Sequence, residues 1–205
     1  MKLDRFYLIA DSARWIERLV PLGVKLVQLR MKDKPLDVVR REIIAAKGIC
    51  ESAGAQLIVN DYWQLAIDEG CSFVHLGQTD LETADVPALR RAGIKLGIST
   101  HDHRELDRAL AFDPDYVALG PIYPTILKNM PWAPQGLERI AEWKRLIGSK
   151  PLVAIGGLTV ARLPDVFAAG ADSAAVVTDI SQHPDPEMRT REWLAATRVA
   201  ESVGA

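Results

Sequence analysis

Apolar residues fall along this chain in two alternating rhythms. Short runs, nearly all aliphatic or aromatic at their centres, recur at 6–10 (FYLIA), 24–30 (VKLVQLR), 55–61 (AQLIVND), 73–77 (FVHLG), 95–100 (KLGIST), 116–121 (YVALGP), 151–157 (PLVAIGG) and 173–179 (SAAVVTD). Runs of that length and composition read as strands buried on both faces. Between them, apolar residues spaced three and four apart predict helices over 12–20, 35–53, 62–69, 84–92, 102–111, 137–147, 159–168 and 187–202. The 35–53 stretch shows the logic. Pro35 suits a first helical turn, where a missing N–H leaves nothing unpaired. Leu36, Val39, Ile43 and Ala46 then mark one face, and Gly54 stops the helix.

The joints repeat as well. PLGVK, SAGAQ, EGCSF, RAGIK and AAGADS each place a glycine between a helix end and an apolar run, as a tight αβ turn requires. Strands alternating with helices imply a parallel sheet, and eight strands are the number that closes into a (β/α)8 TIM barrel. The expected fold is therefore α/β, eight parallel strands in a compact single domain over residues 1–205. An open doubly wound sheet is the alternative, but no G-x-G-x-x-G follows the first run.

One run breaks the apolar pattern. Gln28, Arg30 and Lys32 sit at spacing two, so they share one face of a strand whose other face carries Val27 and Leu29. In a barrel, Val27 and Leu29 would meet the helices and the polar three would rise through the mouth, where catalytic groups collect. A buried guanidinium is expensive without an anion to meet it. The plain alternative is a structural ion pair beneath the rim.

Other run ends are polar too: Asn60 and Asp61, Gln78 and Asp80, Ser99 with Thr100 and His101, Thr125 and Lys128, Gly156 and Gly157, and Thr178. Asp61 and Asp80 suit a hard cation such as Mg2+, which takes few protein carboxylates and shares its shell with water and phosphates. Their ordinary alternatives are a cap on helix 62–69 and a solvated turn. Arg30, Lys32 and Lys128 beside a metal suit a diphosphate better than a carboxylic acid. Gly156 and Gly157 follow the seventh run, where barrels often bind phosphate, so their backbone N–H groups with Thr178 are candidates for a phosphate monoester. His75 and His101 read as hydrogen-bonded core residues rather than proton shuttles. Trp15, Trp63, Trp143 and Trp193 read as helix packing, and Trp132 as either a lid or a loop anchor.

Composition narrows the classes. Lys plus Arg is 25 and Asp plus Glu is 27, a net charge of −2, which argues against non-specific binding to nucleic acid or a membrane surface. The N-terminal apolar run is too short for a signal peptide, and no stretch of about 18 apolar residues exists to span a bilayer. Cys50 and Cys71 lack C-x-x-C spacing, so neither a disulfide framework nor a zinc site is expected, and the cytoplasm is the default setting. No low-complexity segment or linker divides the chain. The sequence leaves open the oligomeric state, a homo-oligomer included.

Together these residues resemble the thiamine-phosphate synthase family. The phrases VQLRMK, LIVNDYWQLAI, FVHLGQTDL, LGISTH, DYVALGPIYPT with Lys128, GLERI, LVAIGGL and AGADSAAVV stand in the family's order from YLIAD (7–11) to AVVTDI (175–180). The resemblance implies a (β/α)8 barrel that joins 4-amino-5-hydroxymethyl-2-methylpyrimidine diphosphate to a thiazole phosphate, releasing pyrophosphate and requiring Mg2+. It implies that Gln28, Arg30, Lys32, Asn60, Ser99 and Lys128 contact the pyrophosphate, that Asp61 and Asp80 hold the metal, and that Thr125, Gly157 and Thr178 serve the thiazole phosphate. In that mechanism pyrophosphate leaves first and the thiazole nitrogen attacks a pyrimidine methylene cation. The chain departs from the family's P-T-x-T-K at Leu127, in the apolar stretch NMPWAPQ (129–135), and at Asp179, where a small apolar residue is usual. Two rivals follow. The sister thiazole tautomerases carry a histidine where this chain has Pro121. A non-catalytic thiamine-phosphate binder would have no use for a diphosphate clamp.

Overall fold

In the computed structural model, which describes residues 2–125 and 132–202, the apolar runs become eight short parallel strands: β1 (Phe6–Ala10), β2 (Leu26–Leu29), β3 (Gln56–Asn60), β4 (Phe73–Leu76), β5 (Lys95–Thr100), β6 (Tyr116–Leu119), β7 (Leu152–Ile155) and β8 (Ser173–Val176). Each pairs with its neighbours in the chain, and β8 pairs with β1, so the barrel is closed and has no free edge. The helices among the described residues are α1 (Ala13–Leu19), α2 (Leu36–Ala53), α3 (Trp63–Asp68), α4 (Val86–Arg91), α5 (His103–Ala111), α6 (Gly136–Ile147), α7 (Leu163–Ala168), α8 (Thr178–Ser181) and α9 (Pro186–Ser202). The last strand is shorter than its apolar run. Val177 leaves the extended region at φ −125°, ψ −78°, so Thr178 opens a short helix instead of ending a strand.

Alternation along the strands creates two separate cores. Phe6, Leu8, Val27 and Leu29 face outward into the layer between barrel and helices. Each contributes about 1.5–3 kcal/mol by leaving water. Tyr7, Ile9, Leu26, Ile58, Phe73, Tyr116 and Val153 face inward and fill the barrel. Phe6 stacks on Trp193 of α9 with ring centroids 5.6 Å apart, and the buried Trp143 of α6 donates from Nε1 to Thr100 Oγ1 at 2.9 Å. The interior needs one special concession. Gly97 of β5 lies opposite Tyr116 of β6, and a Cβ at Gly97 would come within 2.1 Å of the tyrosine ring. The glycine in LGIST is thus the space that lets a tyrosine lie across the barrel. Among the described residues no helix is long and apolar enough to cross a membrane.

Candidate active site

The C-terminal ends of the strands surround a cavity of about 800 Å³. Gln28, Arg30 and Lys32 enter it from β2 and beyond, Asn60 and Asp61 from the end of β3, Asp80 from the turn after β4, and Ser99 from β5. Thr125, then Gly156 and Gly157, then Thr178 complete the circuit past β6, β7 and β8. Every predicted site residue that is described therefore lies on one cavity; Lys128 and Leu127 lie outside the described residues. The period-two reading of β2 also holds in depth. Gln28 is 2 % exposed at the floor, while Arg30 and Lys32 stand exposed above it. The Arg30 backbone N–H donates to Ala10 O at 2.8 Å, which extends the β1–β2 ladder and keeps the side chain in the inward phase. The guanidinium is thus at the solvated mouth and not buried, and it makes no ion pair among the described residues.

Lys32 does have a partner, since its Nζ donates to Asp61 Oδ2. Asp61 sits at φ +63°, a left-handed conformation that aspartate tolerates better than most residues. Its backbone N–H bonds His75 O at 2.9 Å. The first turn of α3 takes no side-chain cap, so Asp61 is not spent on capping. Burial pushes the Asp61 pKa up, the neighbouring Asp80 charge adds to that, and Lys32 opposes it. Asp80 opens a single 3-10 turn over Asp80–Glu82 and accepts from Gly77 N at 3.1 Å. Among the described residues no three His, Cys, Asp or Glu side chains form a closed metal cage. Two adjacent carboxylates nonetheless fit Mg2+, which takes one or two carboxylates and completes its shell with water and substrate oxygens. Asn60 Nδ2 and Gln78 Oε1 are buried without partners among the described residues. An unpaired buried polar atom costs about 1–3 kcal/mol, so both read as positions for ligand or water.

Beneath the charges runs a line of hydrogen bonds that crosses the barrel. Gln28 Nε2 donates to Tyr7 Oη at 2.7 Å. Tyr7 Oη and Tyr116 Oη lie 3.0 Å apart, Tyr116 Oη is 2.7 Å from His75 Nδ1, and His75 Nε2 is 2.7 Å from Ser99 Oγ. Burial, assisted by Arg30, pushes the His75 pKa down to about 4 and keeps the ring neutral, while burial raises both tyrosines. His75 is a hydrogen-bonded core residue, as its place inside a strand suggests. Tyr7 and Tyr116 were hidden in the apolar pattern; the one sequence signal for them is the glycine opposite Tyr116.

The other side of the mouth is made differently. Gly156 and Gly157 have φ +97° and +64°. A Cβ at Gly156 would lie 2.6 Å from Pro121 Cα, and one at Gly157 would lie 2.5 Å from Pro124 O. The glycines first make room for the chain's own 121–125 segment, which is tied down by Ile122 N to Ile155 O at 2.9 Å and Tyr123 N to Gly156 O at 3.0 Å. Arg162 clamps the same corner, donating to Gly157 O and lying over the Tyr123 ring at 4.2 Å. Asp179, the acidic residue that follows Thr178, points away from the cavity. Its carboxylate accepts from Arg189 Nε at 2.8 Å and Nη2 at 3.0 Å and from Trp193 Nε1 at 2.7 Å. Trp132 is an anchor: its ring stacks on His101 at 5.4 Å, and His101 Nδ1 is held by Glu105 at 2.7 Å. Pro121 lines the cavity where the tautomerases carry histidine, and proline moves no proton. Burial raises the Cys50 and Cys71 thiols to about 12 and about 11, which leaves neither as a nucleophile.

Known proteins resemble this chain in sequence and in fold. A family model described as thiamine monophosphate synthase matches residues 5–180. A thiamine-phosphate synthase of Rhizobium etli is 68 % identical over 204 residues, covering 100 % of both chains. One from Salmonella typhimurium is 47 % identical over 195 residues, covering 95 % of this chain and 92 % of its own. Among solved structures, a thiamine phosphate pyrophosphorylase from Pyrococcus furiosus superposes with a TM-score of 0.85 at 21 % identity, over 98 % of each chain.

Proposed function

The chain belongs to the thiamine monophosphate synthase family, and from that premise we propose how its barrel mouth performs the family's reaction. The enzyme joins a pyrimidine diphosphate to a thiazole phosphate and releases pyrophosphate. One observation carries the assignment of roles: Lys32 meets Asp61, with Asp80 adjacent, on the rim that also holds Arg30 and Ser99. Departure of a diphosphate builds negative charge on the leaving oxygens, and cations fixed in advance lower that barrier without reorganising. Arg30 and Lys32 supply them, Lys128, outside the described residues, takes the same role by the family resemblance, Ser99 and Asn60 donate hydrogen bonds, and Gln28 closes the floor. Asp61 and Asp80 are the groups that would hold Mg2+, whose chemistry when bound is to neutralise phosphate oxygens. Thr125, Gly156, Gly157 and Thr178 hold the thiazole phosphate through backbone N–H and hydroxyl groups. The methylene cation left on the pyrimidine needs no protein nucleophile, in keeping with two buried, inert cysteines.

The test uses both substrates with Mg2+, followed by a chelator. Thiamine phosphate and pyrophosphate should form in equal amounts and stop on chelation. No thiamine phosphate would defeat the assignment of activity. Isomerisation of a thiazole carboxylate phosphate supplied alone would favour the tautomerase. Turnover that ignores the chelator would remove Asp61 and Asp80 from a metal role. Binding alone checks the metal as well: Mg2+ should raise the thermal midpoint of the free enzyme but not of Asp61→Asn.

A further inference from the structure

Three buried groups have no part in the chemistry just described: Tyr7, Tyr116 and His75. They are consecutive links in the line from Gln28 on β2 to Ser99 on β5, with every separation between 2.7 and 3.0 Å. Tyr116 is 0 % exposed and does not line the cavity, so it acts on a substrate only through its neighbours. We propose that Tyr116 and His75 are positioning residues that fix the direction of the Ser99 hydroxyl, so that its proton is presented to the leaving diphosphate. The proposal rests on the reading of Ser99 as a diphosphate contact.

Counting protons gives the line its direction. Each phenol, the neutral imidazole and the serine carry one proton that can be donated along the line. Gln28 Nε2 donates to Tyr7, so the Tyr7 proton goes to Tyr116 and the Tyr116 proton to His75 Nδ1. His75 then carries its own proton on Nε2 and gives it to Ser99 Oγ. The serine proton is the one left over, and the cavity is the place left for it. Turning the Gln28 amide over would reverse every link and move the spare donor from Ser99 to Gln28. The two ends are alternatives, and an anion at Ser99 selects the direction described.

Tyr116→Phe removes one oxygen from the middle of the line and keeps the ring that fills the space over Gly97. It leaves His75 free to take the other tautomer and Ser99 free to turn inward. With Ser99→Ala lowering kcat by roughly a hundredfold, as loss of one transition-state donor does, Tyr116→Phe should lower kcat by about tenfold with KM for the diphosphate little changed. The double variant should be no slower than Ser99→Ala alone, because both changes act on one hydroxyl. His75→Gln, whose amide can donate from the Nε2 position, should retain several times the kcat of His75→Leu. Wild-type kcat in Tyr116→Phe, whatever its thermal midpoint, would overturn the proposal by reducing the line to packing. So would effects that multiply in the double variant, or equal losses in His75→Gln and His75→Leu. Normal turnover in Ser99→Ala is a different failure, since it removes Ser99 from the diphosphate site itself and the proposal with it.

Discussion

From β2 to β5 the barrel mouth is built of side chains that carry charge or a hydroxyl, namely Arg30, Lys32, Asp61, Asp80 and Ser99; from β6 to β8 it is built of glycines, threonines and folded-back chain. The first half is held by its own charges. Arg30 makes no ion pair among the described residues, Lys32 leans on Asp61, and Asp61 carries a burial penalty that Lys32 offsets in part. The second half is held tightly by sterics, with Gly156 and Gly157 pressed against Pro121, Tyr123 and Pro124. Asp179, next to Thr178, is turned away and paired with Arg189. On the roles proposed above, the charged half places its cations before the diphosphate begins to leave. A site that must only hold a phosphate in place needs fixed N–H directions.

The largest effect should come from the charged half. Asp61→Asn, like Arg30→Ala, should reduce turnover by roughly a thousandfold, beyond the loss of a single neutral donor. The same change should leave the thermal midpoint of the free enzyme equal or higher, because asparagine accepts the φ of +63° and carries no charge to desolvate. The pH dependence has a definite sign. The folded pKa of Asp61 lies above the ordinary value of 3.8, so between the two the folded chain binds the proton more tightly than the unfolded one. Ionised Asp61 therefore costs stability, fully above the folded pKa and not at all well below 3.8. The advantage of Asp61→Asn should shrink as a series of melts is taken to lower pH. A midpoint several degrees below wild type at neutral pH would instead make the Lys32–Asp61 pair a structural tie, and the contrast between the halves would fail.

Sterics should dominate in the other half, and the effect should be smaller. Gly157→Ala places a methyl 2.5 Å from Pro124 O in a left-handed conformation. It should raise KM for the thiazole phosphate about tenfold with little change in KM for the pyrimidine diphosphate, and lower stability by about 1–3 kcal/mol. Steady-state kinetics with each substrate varied in turn separates the two. A larger change on the diphosphate side would mean that the glycine loop serves the wrong substrate.

The same contrast decides what could be read in advance. Arg30 and Lys32 stood out because charges at spacing two interrupt an apolar strand, Asp61 because it closes such a run, and Asp80 because it follows one closely. The glycine pair was legible by place, after the seventh strand, but its cause was not: the close neighbour is the chain's own 121–125 segment, more than 30 residues away in sequence. Tyr7 and Tyr116 were illegible for a related reason. An inward tyrosine looks like any core aromatic until its hydroxyl meets another, here across 109 positions. Asp179 adjoins Thr178, yet consecutive residues of a helix point about 100° apart. Because Thr178 opens α8 rather than ending a strand, its neighbour is carried around toward α9.

That neighbour supplies the smallest expected effect. Asp179→Asn keeps the shape but removes the charge that Arg189 and Trp193 share, and Arg189 retains Glu192 at 2.6 Å. Losing part of a charged hydrogen-bond pair costs about 1–3 kcal/mol, and each kcal/mol lowers the thermal midpoint of a chain of this size by about 2–4 °C. Kinetics should not move, because the carboxylate is aimed at α9 and not at the cavity. Tighter binding of the thiazole phosphate in Asp179→Asn would show that the charge does reach the phosphate and is screened only in part by Arg189. The second half of the mouth would then owe its affinity to a balance of charges, as the first half does, and not to fixed backbone alone.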